Sequence, residues 1–318
     1  MPLPHQVRIG VDLGGTKIEA IALDAAGRQR SRQRIATPAG DYEGTVRAVA
    51  AIVAAVEAAA GARAGTALVG IGMPGAISPA TGLVKNANST CLNGRPFNRD
   101  MAAALGRPLR TANDADCLAA SEAADGAGAG ASTVFAAILG TGVGAGIVAH
   151  GRLVRGPNAI AGEWGHNPLP WPQDEERPGP ACYCGRRGCI ETFVSGPGLE
   201  RDFRAADPRP LDGPAIVAAA EAGDAAAADA MARYADRLAR ALATVVNLLD
   251  PHVIVLGGGL SRVERLYREV PRRWGRWIFS DTVATRLEPA RHGDASGVRG
   301  AAWLWPASAA AEERAGAG

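Results

Sequence analysis

Two stretches decide how this chain folds: Arg8-Ile-Gly-Val-Asp-Leu-Gly-Gly-Thr-Lys-Ile-Glu-Ala-Ile-Ala-Leu23 and Leu139-Gly-Thr-Gly-Val-Gly-Ala-Gly-Ile-Val-Ala-His-Gly-Arg152. Each reads as a short apolar strand, a glycine turn and a second apolar strand, and each runs on to a Gly-Arg pair, Gly27-Arg28 and Gly151-Arg152. Two such hairpins opening successive halves predict a duplicated architecture. The flanking sequence extends the pattern. From Asp41 to Ala60, Val46, Val49, Ile52, Val53 and Val56 recur at helical spacing before Gly61, a helix stop, and Leu68 to Met73 then reads as a buried strand. Gly213 to Leu249 is Ala-rich and helical in period until Asp250-Pro251 breaks it, ahead of a strand from His252 to Leu256 and the triplet Gly257 to Gly259. Strands alternating with helices predict an α/β fold with helices flanking mixed sheets. At 318 residues the chain exceeds one ordinary core, so two lobes with a cleft between them are expected.

Composition narrows the function. The 34 Lys plus Arg against 32 Asp plus Glu leave a formal charge of +2, too balanced for a nucleic-acid or anionic-membrane surface, so the expected partner is a small molecule. Arg28, Arg30, Arg32 and Arg34 alternate as a solvated strand face does. Residues 126 to 151 carry no Asp, Glu, Lys or Arg, yet eight of them are glycine, which reads as loop, strand, turn and strand rather than a membrane span. No export signal opens the sequence, so a cytoplasmic protein is expected. Of five cysteines, Cys182, Cys184 and Cys189 crowd together, which in a reducing compartment points to metal binding; Cys91 and Cys117 read as buried thiols.

The glycine turns carry chemistry. Gly14, Gly15 and Gly142 lack a β-carbon, so backbone N–H groups there can approach phosphate oxygens, and Thr16, Lys17 and Thr141 add side-chain donors. Asp12 ends the first strand and can hold Mg²⁺ through water. The sequence has neither a P-loop nor a Gly-x-Gly-x-x-Gly opening a helix at the first strand. Asp12-Leu-Gly-Gly-Thr16, Leu139-Gly-Thr-Gly142 and Leu256-Gly-Gly-Gly259 together resemble the two phosphate loops and the adenosine segment of actin-like ATPases. The resemblance implies the two-lobed actin-like ATPase (ribonuclease H-like) fold. It also implies that MgATP is bound by Gly10, Asp12, Gly14, Gly15, Thr16, Lys17, Gly140, Thr141, Gly142, Gly144, Gly257, Gly258 and Gly259.

A second resemblance is more specific. Glu163-Trp-Gly-His166, followed by Cys182-Tyr-Cys184-Gly-Arg-Arg-Gly-Cys189-Ile-Glu191, resembles the signature of ROK-family sugar kinases, over about Arg8 to Pro306. Val84 to Thr90, Glu163 to Pro170 and Gly297 to Trp305 look most like the manno(fructo)kinase subgroup. Read by themselves, His166, Cys182, Cys184 and Cys189 form a one-nitrogen, three-sulfur set suited to a closed structural Zn²⁺ site, which would fold the segment from Gly162 to Thr192. The resemblance implies that Glu163, His166 and Glu191 hydrogen-bond sugar hydroxyls, His166 using one ring nitrogen for metal and the other for sugar. Asn113-Asp114 follows a strand-like stretch from Pro108 to Thr111 and resembles the family's catalytic pair, with Asp114 as general base and Asn113 orienting the sugar. As residues alone, an Asn-Asp pair is more often a turn or helix cap, and Asp116 is an equally plausible carboxylate by proximity; only the family match selects Asp114. Gly75, after Met73-Pro74, and Asn88 are further sugar-pocket candidates that can equally shape loops.

The implied organisation is one lobe of residues 1 to 115 plus a C-terminal helix near 296 to 310, and a second of 116 to 295, in a homodimer. The implied reaction moves the γ-phosphoryl group of MgATP to a hexose C6 hydroxyl, with fructose preferred and mannose second. Glucose and N-acetylhexosamines are alternative substrates. The family's transcriptional repressors carry a helix-turn-helix domain first, for which the nine residues before Gly10 are too few.

Overall fold

A computed structural model describes residues 7 to 305 except residue 88. The expectations for Asn88 and for a helix continuing to residue 310 therefore lie partly or wholly outside the described residues.

The first hairpin forms as its glycine turn requires. β1 (Arg8–Leu13) and β2 (Lys17–Leu23) pair antiparallel with Leu13 opposite Ile18, and the Gly14 N–H closes the turn on the Lys17 carbonyl at 3.0 Å. β3 (Gln29–Ala36) adds antiparallel at the edge. Its alternating arginines lie half in solvent, and Arg32 and Arg34 pair with the buried carboxylate of Glu19 on β2. α1 (Tyr42–Ala59) begins where the Asp41 side chain accepts from the Gly44 N–H. It buries Val46, Val49, Ile52, Val53 and Val56 against the sheet. β4 (Leu68–Gly72) runs parallel to β1, the short pair β5 (Ala76–Ile77) and β6 (Val84–Lys85) forms a flap, and α2 (Phe97–Leu105) leads to β7 (Leu109–Ala112), parallel to β4. The sheet order is β3-β2-β1-β4-β7.

α3 (Asp114–Asp125) then crosses to a second sheet, built from β8 (Thr133–Leu139), β9 (Val143–Ala149), β10 (Arg152–Leu153), β11 (Val253–Gly257) and β12 (Arg286–Pro289) in the order β10-β9-β8-β11-β12. Its pairings are antiparallel, antiparallel, parallel and parallel, the same as in the first sheet. The repeated glycine hairpin thus marks a repeated sheet, each with its own apolar core. Four helices sit between β10 and β11: α4 (Glu191–Val194), α5 (Gly196–Ala206), α6 (Gly213–Glu221) and α7 (Ala225–Leu249). The Ala-rich run expected as one helix is therefore two. Gly223 adopts φ 91°, and the Asp224 side chain accepts from the Ala227 N–H to start α7 afresh. α8 (Leu266–Trp274) follows β11, and α9 (Ser296–Trp303) ends the described chain.

α9 returns across the first sheet and packs on α3, in a contact that glycine makes possible. A β-carbon on Gly10 would lie 2.0 Å from the Val298 carbonyl oxygen, one on Gly70 1.8 Å from that of Ala301, and one on Gly300 1.7 Å from that of Cys117. Cys117 is fully buried at this contact, whereas Cys91, expected to be buried, is half-exposed beside the first sheet's core. Among the described residues no helix is long and apolar enough to cross a membrane.

Candidate active site

The three glycine segments end strands, where turning chain leaves backbone groups free. Gly15, Thr16 and Lys17 are exposed in the first turn, and the Thr37 hydroxyl donates to the Gly14 carbonyl at 2.7 Å to brace it. Thr141 and Gly142 are exposed in the second, held by the Gly140 N–H on the Gly142 carbonyl and by the Gly196 N–H on the Gly140 carbonyl. Gly258 and Gly259 are exposed past the end of β11, parallel neighbour of β8, so the triplet lies beside the second turn at the carboxyl ends of two strands. That is where α/β sheets bind ligands. Three expected phosphate residues have other positions. Gly10 is buried mid-strand under α9, Gly257 is buried where a β-carbon would fall 2.7 Å from the Leu118 side chain, and Gly144 lies within β9, where a β-carbon would be in ordinary contact with that of Ala115. At Gly10 and Gly257 the missing side chain permits helix–sheet packing.

Asn113 is the N-cap of α3, its Oδ1 accepting from the Asp116 N–H at 2.7 Å, and Asp114 follows in the first turn, exposed. The cap reading of this dipeptide is thus met, and it leaves Asp114 exposed in the helix's first turn. Asp12, at the end of β1, lies near enough for Asp114 to act on it. Burial first, then the charges of Glu19 and Asp114, push the Asp12 carboxyl above its ordinary value, while Lys17 opposes them. A cavity of about 310 Å³ adjoins Asn113, lined also by Met73, Gly75, Ile77, Asn98, Thr111, Asp116 and Arg155. Gly75 turns there with φ 74°, and a β-carbon would lie 2.4 Å from the Lys85 carbonyl oxygen. Asp116 was legible only by its nearness to Asp114, and Arg155 carried no sequence signal.

The segment after β10 packs onto β9. Gly162 and Gly165 approach the carbonyls of Ala145 and Val143, and Trp164 is buried edge-on against Phe135 at 5.6 Å. Glu163, exposed at the start of this segment, lies within electrostatic reach of Asp116 in the first turn of α3. The ligand atoms of His166, Cys182, Cys184 and Cys189 lie within 4.8 Å of one another, with His166 Nδ1 3.5 Å from Cys182 Sγ and the Sγ atoms of Cys184 and Cys189 3.6 Å apart. A tetrahedral Zn²⁺ with ordinary bond lengths needs about 3.6 Å between nitrogen and sulfur and about 3.8 Å between sulfurs, so the residues fit the ion. Burial, with the neighbouring thiols, pushes Cys189 up to about 12 and Cys182 upward, a cost that a cation binding the thiolates would remove. Two expected sugar contacts are engaged within the protein: His166 Nε2 lies 2.9 Å from the Tyr183 hydroxyl, and Glu191 Oε2 accepts from the Val143 N–H at 2.9 Å. Glu191 thereby joins the cysteine segment to the second glycine turn.

Two sheets of one topology, with glycine turns at their strand ends and a carboxylate-bearing helix between them, define a two-lobed α/β protein of the actin-like ATPase fold. The chain belongs to the ROK family, whose model matches residues 8–308. An N-acetyl-D-glucosamine kinase of Photobacterium profundum is 38% identical over 299 residues, covering 93% of this chain and 98% of that protein. The ROK hexokinase of Thermus thermophilus has a solved structure similar to this one with TM-score 0.84 at 32% identity, covering 98% of this chain and 100% of that one. The ROK-family glucokinase of Streptomyces griseus, solved in complex with glucose and AMPPNP, is similar with TM-score 0.72 at 31% identity, covering 94% and 98%.

Proposed function

We propose that this ROK-family sugar kinase transfers the γ-phosphoryl group of MgATP to the C6 hydroxyl of a hexose, D-fructose by preference. The observation that carries the reading is the position of Asp114: exposed at the capped start of α3, next to the Asn113 cavity and within electrostatic reach of Asp12 beside the first phosphate turn. A carboxylate there can take the proton of a hydroxyl as the phosphoryl group arrives. Exposed N–H groups of the Gly14–Lys17 and Gly140–Gly142 turns, with Lys17, neutralise charge on the transferring group, and Asp12 would hold Mg²⁺ through water. A Zn²⁺ ion on His166, Cys182, Cys184 and Cys189 would fold the segment that presents Glu163 and His166 to the sugar, whose hydroxyl displaces that of Tyr183 from His166. Lobes of residues 1 to 115 with α9, and of 116 to 295, close over the reactants in this reading.

Fructose rests on the likeness of Asn86 to Thr90, Asn167 to Pro170 and Val298 to Trp305 to the manno(fructo)kinase subgroup. N-acetyl-D-glucosamine is the second reading, favoured by the 38% identity to a kinase of that name. The two sugars differ at C1 and C2, and each buried polar group left unpaired by the wrong sugar costs about 1–3 kcal/mol, a preference of roughly tenfold to hundredfold. Measured kcat/KM for fructose, mannose, glucose and N-acetylglucosamine at saturating MgATP is expected to rank fructose first and mannose second. If N-acetylglucosamine exceeds fructose, the second reading replaces the first.

A further inference from the structure

The cavity beside Asn113 contains a carboxyl that the reaction above leaves unused. Asp116 lines it, and its Oδ1 is sealed from solvent with no hydrogen-bond partner among the described residues. Buried polar groups are rarely left unpaired, so a carboxyl in this state on a residue that lines a cavity calls for a partner from outside the chain. The carbonyl oxygen of Asn113 is engaged in capping α3, while its amide N–H groups have no such role and are free to donate to a ligand. A sugar hydroxyl both donates and accepts. The amide of Asn113 and the carboxyl of Asp116 side by side match neighbouring hydroxyls of a polyol as donor and acceptor. Arg155 adds a contribution from the loop after β10. Its guanidinium donates to the Thr111 carbonyl on β7 of the other sheet, and it lines the same cavity.

We propose that Asp116 is a specificity-determining residue of the sugar pocket, hydrogen-bonding a hexose hydroxyl next to the one that Asn113 orients, with Arg155 closing the pocket from the opposite sheet. The inference rests on the sugar-kinase reading of the cleft. Burial pushes the Asp116 carboxyl up to about 7; Arg155 opposes the rise, and Glu163 and Asp114 add to it. Its charge therefore changes near neutrality, and the charged form is the stronger acceptor. Hexose KM should accordingly fall as pH rises through neutrality.

Steady-state kinetics on the whole enzyme, with the preferred hexose and with ATP varied separately, test this. Asp116→Ala is expected to raise the hexose KM at least about tenfold while the ATP KM stays within about twofold. Asp116→Asn, whose amide oxygen still accepts, is expected to recover most of the loss but to flatten the pH dependence of hexose KM that wild type shows from about pH 6 to pH 8. Should Asp116→Ala fail to fold, the pH profile of Asp116→Asn and an expected rise of about threefold in hexose KM for Arg155→Met decide the matter. A hexose KM in Asp116→Ala within about twofold of wild type, or the same pH dependence in wild type and Asp116→Asn, overturns the proposal. Wild-type enzyme that phosphorylates no hexose defeats the kinase reading instead.

Discussion

Asp114 and Asp116 stand two residues apart on one helix turn and differ in surroundings. Asp114 is exposed, and the helix cap belongs to Asn113, so Asp114→Asn removes a proton acceptor without disturbing packing or cap. Turnover is expected to fall about 10²- to 10⁴-fold or more with hexose affinity largely kept, measured by ADP release and calorimetry. A variant retaining more than about a third of wild-type turnover removes Asp114 from the base role. Asp116 makes the opposite case, because burial raises it from the ordinary 3.8 to about 7. Between those values the folded protein holds a proton that the unfolded chain releases, so its folding penalty is absent below the lower value, grows with pH and is complete above the upper one. Asp116→Asn is therefore expected to stabilise the protein on the order of 2–4 kcal/mol near pH 8, with the gain shrinking towards pH 4. Urea unfolding at both pH values checks this, and a destabilised variant at the higher pH contradicts it.

At the scale of elements, the segment from Gly162 to the start of α4 has little regular structure and is held by side chains. Arg240 and Arg237 on α7 bond the buried Glu176, and Arg240 also donates to the Trp171 carbonyl at 2.9 Å. Burial alone would raise the Glu176 carboxyl, but hydrogen bonds from Arg240 and Arg237 hold it down at about 2, so it stays ionised as the segment's anchor. The other anchor would be the metal. About one Zn²⁺ per chain is expected in protein purified without added zinc, and Cys184→Ser is expected to lose both the ion and hexose affinity. Elemental analysis that finds no zinc, or finds it unchanged in the variant, contradicts the assignment. The backbone N–H of Arg186 lowers the thiol of Cys184, which favours the thiolate a metal needs.

At the scale of the molecule, α9 ties the first sheet to the helix that carries Asp114. Gly10 on β1, Gly70 on β4 and its own Gly300 let it lie on β1, β4 and α3 at once, and a β-carbon on Gly297 at its start would sit 3.7 Å from Asp12. Gly300→Ala must push α9 off α3, because its β-carbon would fall 1.7 Å from the Cys117 carbonyl oxygen. A loss of about 1–3 kcal/mol or more is expected, along with reduced turnover as α3 shifts. Gly275→Ala, with nothing within 4 Å of the added carbon, should change stability by less than about 0.5 kcal/mol. Denaturant unfolding of both variants checks this; equal stability would mean the tight contact has slack.

The features legible in the sequence are short-ranged. A glycine turn between apolar strands, three thiols within eight residues and an Asn-Asp after a strand are each set by neighbours along the chain, so residue order alone determined the two hairpins, the candidate metal ligands and the cap at Asn113. One break escaped because alanine favours helix on both sides of Gly223, and only the left-handed backbone there separates α6 from α7. Everything else that the structure decided depends on distances between elements far apart in sequence. Gly10 looks like part of a phosphate loop until α9, nearly 300 residues later, is laid over it. Glu191 and His166 find Val143 and Tyr183, and Asp116 becomes a buried carboxyl beside Arg155, only when β9, α3 and the cysteine segment converge. A side chain's chemistry is written in its identity, but its burial and its partners are properties of the packed chain.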